Sequence, residues 1–187
     1  MKKIVLFASG NGTNAQAIMD YFEDNSSVEI SLVLSNKSDA GALTRASKKM
    51  VPAMYFNKFA FAKANSIHTL LLTIKPDLIV LAGFLWKFPD YLVEAFPNKI
   101  INIHPALFPK YGGKGMYGMH VHEAVVANKE SESGITIHYV NEHYDEGAII
   151  AQYRCELTAE DTAATVAAKV HELEQTYFAS EIEKLLA

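Results

Sequence analysis

The first hundred residues alternate between short apolar runs and stretches of helical periodicity, and this alternation limits the folds open to the chain. The apolar runs are rich in β-branched residues and cover positions 4–8, 29–34, 53–56, 77–82 and 99–103. Between them, apolar residues recur every three or four positions, which is the spacing of one buried helical face. The alternation predicts a doubly wound α/β fold, with a mainly parallel sheet, helices on both faces and a Rossmann-like N-terminal half.

The period changes to two in the last third of the chain. Hydrophobic and polar side chains alternate over residues 134–140, and a second strand pattern covers residues 148–156. These patterns predict longer, half-exposed strands that extend the sheet. A closing helix is expected from about residue 161 to residue 186, with Thr158 and Asp161 in capping-box spacing at its start.

The amino-acid composition limits the cellular compartment and the kinds of partner that we expect for this chain. Half of the 187 residues are hydrophobic and no linker or repeat interrupts them, so we expect a single domain over residues 1–187. The net charge of -4 and the absence of a long basic run argue against nucleic-acid or membrane partners and favour small molecules. Cys155 is the one cysteine, and the first apolar run is too short for a signal segment, so we expect a cytoplasmic protein, either a monomer or a homodimer.

The sequence Ser-Gly-Asn-Gly-Thr-Asn at residues 9–14 stands between the first predicted strand and the first predicted helix. Glycines allow close backbone approach, and the free amides at a helix N-terminus favour an anion, so Gly12, Thr13 and Asn14 are candidates for binding a phosphate monoester. A nicotinamide nucleotide is not expected, because the third glycine and the acidic residue after the second strand are missing. The alternative is a tight turn in which Thr13 or Asn14 caps the helix.

Asn102 and His104 stand two positions apart at the end of the fifth predicted strand, so both side chains project to the same side. One offers an amide donor and the other a group that titrates near neutrality. Acyl transfer to an amine needs a donor for the developing oxyanion and a group that carries the proton lost by the amine. The alternative is a histidine that only caps backbone at the end of a strand.

Asp145 lies in the polar segment 141–147, which connects the two late strands and by default forms a turn. If this segment folds over the same end of the sheet, Asp145 is expected to pair with His104. Such a pair raises the pKa of an imidazole and favours the imidazolium form.

Three further features have a structural explanation beside a functional one. His120 and His122 have a spacing found in metal sites, but no third ligand accompanies them, so we predict no metal. The apolar segment 82–89 is explained by the core, or alternatively forms the wall of a site for a flat aromatic ligand. His171 and Glu174 stand one helical turn apart, which is typical of a surface pair.

Taken together, these segments resemble the glycinamide ribonucleotide transformylase family of purine biosynthesis. The resemblance covers nearly the whole chain and is carried, in the family's order, by SGNGTN, VLAGFLWKF, INIHPALFPKY, GITIHYVNEHYDEGAII and VHELEQTYF. It implies transfer of a formyl group from 10-formyltetrahydrofolate, as co-substrate, to the amine of phosphoribosylglycinamide, without a metal or a nicotinamide nucleotide.

The resemblance also assigns residues to three roles. It implies that the catalytic residues are Asn102, His104 and Asp145. It implies that the ribotide is held by Gly12, Thr13, Asn14, His171 and Glu174. It implies that the folate is held by Leu85, Trp86, Lys87, Phe88, Asn102, Asn141, Glu142, His143, Tyr144 and Asp145.

Relatives that share this chemistry offer alternatives. Methionyl-tRNA formyltransferase and formyltetrahydrofolate hydrolase carry an additional domain, and sugar-nucleotide formyltransferases are generally longer, so the length of this chain favours the ribotide enzyme. A hydrolase, another formyltransferase and, more remotely, a sensor that binds ribotide or folate without catalysis stay open. The chain departs from the family at Leu85, Trp86 and Lys87, where Met-Arg is frequent, and at residues 112–118, a longer segment that is expected to act as a lid.

Overall fold

The computed structural model describes residues 1–113, 115–143 and 145–187, and Lys114 and Tyr144 lie outside the described residues. Within the described part, seven strands form one sheet. The strands are β1 Lys2–Phe7, β2 Val28–Ser35, β3 Ala53–Tyr55, β4 Leu78–Leu81, β5 Ile100–His104, β6 Glu132–Tyr139 and β7 Ile149–Glu156. The helices are α1 Thr13–Tyr21, α2 Gly41–Lys48, α3 Ser66–Ile74, α4 Asp90–Ala95, α5 Met119–Ala127 and α6 Ala163–Leu186.

The order of strands in the sheet is β3-β2-β1-β4-β5-β6-β7. Strands β1 to β5 pair in parallel, whereas β6 pairs antiparallel with both β5 and β7. The predicted α/β fold with a mainly parallel sheet is therefore confirmed, and the two late strands extend the sheet as expected.

The core has two halves, one on each face of the sheet. Along β1, Ile4 and Leu6 pack in the cluster formed with α1, α2, α5 and α6, whereas Val5 and Phe7 pack with α3 and α4. Central parallel strands are apolar throughout because helices cover both faces, and this explains the continuous apolar runs in the first hundred residues.

Strand β6 is buried on both faces, so the expectation of a half-exposed strand is wrong for β6, although it holds for β7. Thr136 and His138, the polar side chains of the alternating pattern, are both buried. The segment after β5 covers them: Thr136 Oγ1 donates to the Ala106 carbonyl at 2.7 Å, and the Phe108 ring lies 5.0 Å from the His138 ring. A local alternation of polarity does not reveal a distant segment that covers the polar face.

Helix α6 begins at Ala163, and its capping box is formed by Thr162 and Thr165. The predicted pair, Thr158 and Asp161, instead forms the turn before the helix, where the Asp161 carboxylate accepts the Thr158 amide at 2.7 Å. Among the described residues, no helix combines the length and the apolar character that are needed to cross a bilayer.

The carboxyl ends of β1, β4 and β5 meet at one edge of the sheet. Strand β1 lies between β2 and β4, so the chain connections leave β1 and β4 in opposite directions and open a crevice, which is where open α/β sheets bind ligands. Ser9 joins the loops at this edge, because its hydroxyl donates to Asn36 Oδ1 at 2.6 Å and accepts the Leu85 amide at 2.9 Å.

Candidate active site

The crevice contains a cavity of about 740 Å³, a size typical of small-molecule sites. Asn102 and His104 at the end of β5 line it together with Asp145 from the β6–β7 connection. His104 Nδ1 lies 3.6 Å from Asp145 Oδ2, and both side chains are buried. The structure thus brings together the three side chains that the resemblance assigns to catalysis.

The proton on neutral His104 is fixed by a backbone contact. Its Nε2 lies 2.7 Å from the Tyr111 carbonyl oxygen. Because a carbonyl only accepts, Nε2 carries the hydrogen and Nδ1 keeps its lone pair. The basic nitrogen of His104 is therefore the one that faces Asp145.

Burial lowers the pKa of His104, and the neighbouring Asp145 carboxylate and the Tyr111 carbonyl only partly oppose this effect. Asp145 thus acts on the pKa of His104 in the expected direction, but the expectation that the imidazolium form is favoured is wrong for the free protein, because desolvation of the imidazolium outweighs the attraction. At neutral pH, His104 is an uncharged imidazole that can accept a proton.

His138 is a site residue that the sequence analysis did not identify. The β5–β6 register places it opposite Asn102, and its Nε2 lies 3.2 Å from Asn102 Nδ2. His138 Nδ1 lies 2.9 Å from the Tyr139 carbonyl and so donates, which leaves Nε2 as the acceptor that orients the Asn102 amide. Burial lowers the pKa of His138, which keeps it in this neutral form.

His122 is a further buried histidine that lines the large cavity. His120 is exposed and pairs with Glu123, but His122 is buried, lines the large cavity, and has an Nδ1 atom without a hydrogen-bond partner among the described residues. Burial, and to a smaller extent His104, lower its pKa. The two histidines therefore differ in their surroundings, since His120 faces solvent and His122 faces the cavity.

These buried histidines predict that the protein loses stability in mild acid. The pKa values of His104, His122 and His138 are lowered by folding, so below about pH 6.5 the unfolded chain binds protons that the folded chain does not. The free energy of unfolding is expected to fall from pH 7 to pH 5.5, by up to about 1.4 kcal/mol per pH unit for each histidine that stays neutral. Urea titrations at pH 5.5, 6.5 and 7.5 measure this slope. Replacing His122 with glutamine should make the slope smaller, and an unchanged slope would contradict the prediction.

The glycine loop leads directly into α1. The helix begins at Thr13, its N-cap is Gly12 with φ of 77°, and no side chain caps it. The alternative in which Thr13 or Asn14 caps the helix is therefore wrong. No capping side chain accepts from the amides of the first turn. These amides are therefore free to donate to an anion, which is the condition for an anion site at a helix N-terminus.

Asn14 and Glu174 link this loop to α6. Asn14 Nδ2 donates to Glu174 Oε2 at 2.9 Å, and His171 Nδ1 lies 3.2 Å from the same oxygen. Asn14 and Glu174 line the large cavity, so the interpretation of His171 and Glu174 as a surface pair is wrong for Glu174. Gly12, Thr13 and His171 flank these two residues, outside the lining.

Replacing Gly12 with alanine is expected to destabilise the loop. The new Cβ would lie 2.5 Å from the Ala42 Cα, and the positive φ alone costs an L-residue about 1–2 kcal/mol. We expect a loss of at least that much in the free energy of unfolding, measured by urea denaturation. Gly10→Ala is the matched control, because no atom lies within 4 Å of a Cβ at that position. Equal stability of the two variants would contradict the prediction.

The segment after β4 forms the opposite wall. Leu85 and Lys87 line the large cavity, while Trp86, Lys87 and Phe88 line a smaller adjoining cleft. Trp86 packs against Phe56 and Phe61, with ring centroids 6.0 and 6.1 Å apart. The segment therefore belongs to the core and also forms a wall of the crevice, and the binding of a flat aromatic ligand against it stays a prediction.

The β6–β7 connection completes the cleft. Asn141, His143 and Asp145 line it, whereas Glu142 is exposed and lines neither the cleft nor the large cavity. Tyr144, which the resemblance assigns to the folate, lies outside the described residues. The described residues of segment 112–118 that line the large cavity are Gly113, Gly115, Met116, Tyr117 and Gly118. A lid function for this segment stays a prediction.

The described residues contain no group of three or more histidine, cysteine or carboxylate side chains placed to hold a metal. The chemistry available from them is hydrogen bonding by Asn102, proton transfer by His104 beside Asp145, and anion binding at the start of α1.

The chain is similar to known formyltransferases over nearly its whole length. The formyl transferase family model matches residues 2–182. The chloroplastic phosphoribosylglycinamide formyltransferase of Arabidopsis thaliana is 39% identical over 94% of this chain, which spans 63% of that protein's length. The phosphoribosylglycinamide formyltransferase of Bacillus subtilis is 37% identical, over 100% of this chain and 95% of the relative.

A solved structure shares the whole fold. The glycinamide ribonucleotide transformylase of Geobacillus kaustophilus superposes with a TM-score of 0.90 at 31% identity, and the match covers 100% of both chains.

Proposed function

Because the chain belongs to the formyl transferase family, in which its relatives include phosphoribosylglycinamide formyltransferases, we propose that it transfers the formyl group of 10-formyltetrahydrofolate to the amine of phosphoribosylglycinamide. The products are formylglycinamide ribonucleotide and tetrahydrofolate, in purine biosynthesis. The observation that carries this proposal is the cluster of Asn102, His104 and Asp145 in one cavity between an open helix N-terminus and an apolar wall.

The two substrates enter from opposite sides. The phosphate of the ribotide binds at Gly12, Thr13 and Asn14, where α1 supplies free amides and the positive end of its dipole. Glu174 accepts from the ribose hydroxyls, supported by His171. With its phosphate and ribose bound in this way, the ribotide extends its glycinamide amine toward the end of β5.

The folate binds along the other wall. The pterin ring lies in the cleft lined by Trp86, Lys87, Phe88, Asn141 and His143. Leu85 contacts the part of the folate that lies in the larger cavity. Glu142 and Tyr144, which the resemblance also assigns to the folate, belong to the same connection. The formyl group then meets the amine beside Asn102 and His104.

The reaction is a direct transfer. The amine attacks the formyl carbon, and the Asn102 amide, oriented by His138, donates to the oxygen that becomes negative. His104 Nδ1 takes a proton from the attacking nitrogen, and the Asp145 carboxylate 3.6 Å away stabilises the resulting imidazolium. The imidazolium returns this proton to the folate nitrogen as the bond from that nitrogen to the formyl carbon breaks. Both substrates are held in place, so no covalent enzyme intermediate is needed.

The test is absorbance-monitored loss of the formyl group from 10-formyltetrahydrofolate, with and without phosphoribosylglycinamide. Turnover that requires the ribotide and yields its formylated product is the expected result. Equal loss of the formyl group without ribotide would identify a hydrolase. Absence of reaction, with binding of either substrate, would favour a sensor.

The proposal also covers the cellular compartment and the oligomeric state of the protein. A protein that acts on two small molecules and carries a net charge of -4 is proposed to work in the cytoplasm, without nucleic acid, as a monomer or homodimer. Light scattering of the purified protein distinguishes the two assemblies.

A further inference from the structure

The turn after β5 contacts both members of the acid–base pair. The Tyr111 carbonyl accepts from His104 Nε2 at 2.7 Å, and the Gly113 amide donates to Asp145 Oδ2 at 2.9 Å. Tyr111 and Gly113, which are two residues apart, therefore hold both the imidazole on β5 and the carboxylate on the β6–β7 connection.

The contact at Tyr111 decides which nitrogen of His104 is basic. With Nε2–H donated to the carbonyl, Nδ1 keeps its lone pair and faces Asp145. If the carbonyl moved away, the hydrogen could reside on Nδ1 and be donated to the carboxylate. The lone pair would then be on Nε2, away from Asp145, and the pair would lose its proton acceptor.

The backbone of Tyr111 requires support to hold this carbonyl in place. Its φ is 57°, in the left-handed region that a bulky L-residue rarely adopts. The side chain supplies an anchor, because the Tyr111 hydroxyl donates to Glu130 Oε1 at 2.8 Å. Gly112 adds close packing, since a Cβ there would lie 2.9 Å from Phe108 Cε1.

Glu130 stands outside the large cavity, in the turn between α5 and β6. Its side chain is mostly buried, with 21% exposed, and also accepts from Lys110 Nζ at 2.9 and 3.0 Å. This burial holds the carboxylate in place as an acceptor for the Tyr111 hydroxyl, whereas the contact from Lys110, whose side chain is 65% exposed, adds little.

We propose that Glu130 is a positioning residue for the acid–base pair: through the Tyr111 hydroxyl it holds the Tyr111 carbonyl against His104 and keeps Nδ1 as the basic nitrogen. The effect on turnover rests on the proposed function. The effect on the His104 tautomer does not, and it is measured separately.

The experiment combines nitrogen NMR of the histidine rings at pH 8 with steady-state kinetics. In the unchanged protein, His104 should show the Nε2–H tautomer. In Glu130→Ala and Tyr111→Phe, a share of the Nδ1–H tautomer should appear, and kcat should fall by up to about tenfold, the effect of one hydrogen bond, while both KM values stay nearly constant. Glu130→Gln keeps an oxygen acceptor for the hydroxyl and should restore most of the Nε2–H tautomer and of kcat.

Two variants serve as controls. Tyr21→Phe removes a hydroxyl–carboxylate bond of the same kind, to Glu183 at 2.6 Å, on the surface between α1 and α6. Lys110→Met removes the lysine contact to Glu130 and leaves the tyrosine contact. Both should keep the tautomer and kcat of the unchanged protein.

The proposal is overturned if Glu130→Ala and Tyr111→Phe keep the His104 tautomer, whether or not kcat falls. It is also overturned if Glu130→Gln is as impaired as Glu130→Ala. If Tyr111→Phe does not fold, the comparison of the two Glu130 variants decides. If the unchanged protein does not transfer formyl groups, the proposed function fails while the tautomer measurement still tests Glu130.

Discussion

Replacing His104 with alanine is expected to lower kcat for formyl transfer by about a thousandfold, with KM for both substrates changed by less than about threefold. On the proposed mechanism, His104 takes up the proton through Nδ1, which faces Asp145, and burial keeps the imidazole neutral before the reaction. Except for Asn102, the proposed ribotide and folate contacts lie on other elements, so binding should survive. Steady-state kinetics with each substrate varied in turn measure the effect.

His104→Gln separates proton transfer from structure. Glutamine can still donate to the Tyr111 carbonyl, but an amide does not take up a proton near neutral pH. This variant should therefore be about as impaired as alanine. The matched control is His120→Ala, which removes an exposed histidine outside the cavity lining. A kcat for both His104 variants within about threefold of the unchanged protein would remove His104 from the mechanism.

Replacing Asp145 with asparagine is expected to lower kcat by about a hundredfold or more. The side chain keeps its shape and can still accept from the Gly113 amide. It loses the negative charge that, on the proposed mechanism, stabilises the His104 imidazolium, so the proton should be taken up less readily. The same kinetic assay measures the loss, and binding of each substrate should change little.

The control for Asp145 is its neighbour in the same connection. Glu146→Gln removes a carboxylate from an exposed side chain that lines neither the large cavity nor the smaller cleft, and it should keep full activity. If Asp145→Asn and Glu146→Gln were equally active, the charge at position 145 would have no role in the transfer.

The sequence predicts best those features that depend on neighbours along the chain. Apolar runs and helical spacing predicted the alternating strands and helices, and the two-residue spacing of Asn102 and His104 predicted that they project together. Both results follow from local geometry, because the period of a strand or helix is a property of a few consecutive residues.

Features that depend on distant segments were not predictable in the same way. His138 reaches Asn102 only through the antiparallel register of β5 and β6, and no local pattern specifies that pairing. The pKa of His104 depends on burial by segments from several elements, so the charge of Asp145 alone gave the wrong direction. The helical spacing around Glu174 is typical of a surface residue, and nothing on its own helix indicates that Asn14, 160 positions earlier, donates to it.

This bond between Asn14 and Glu174 also has a consequence for synthesis of the protein. Asn14 is synthesised 160 residues before Glu174, its partner on α6. On the proposed assignment, the nascent chain acquires both sides of its ribotide site only after α6 has been made and has packed against α1. A product of translation that stops before Glu174 then lacks one side of the site, and occupancy of the site by the ribotide reports that α1 and α6 have come together.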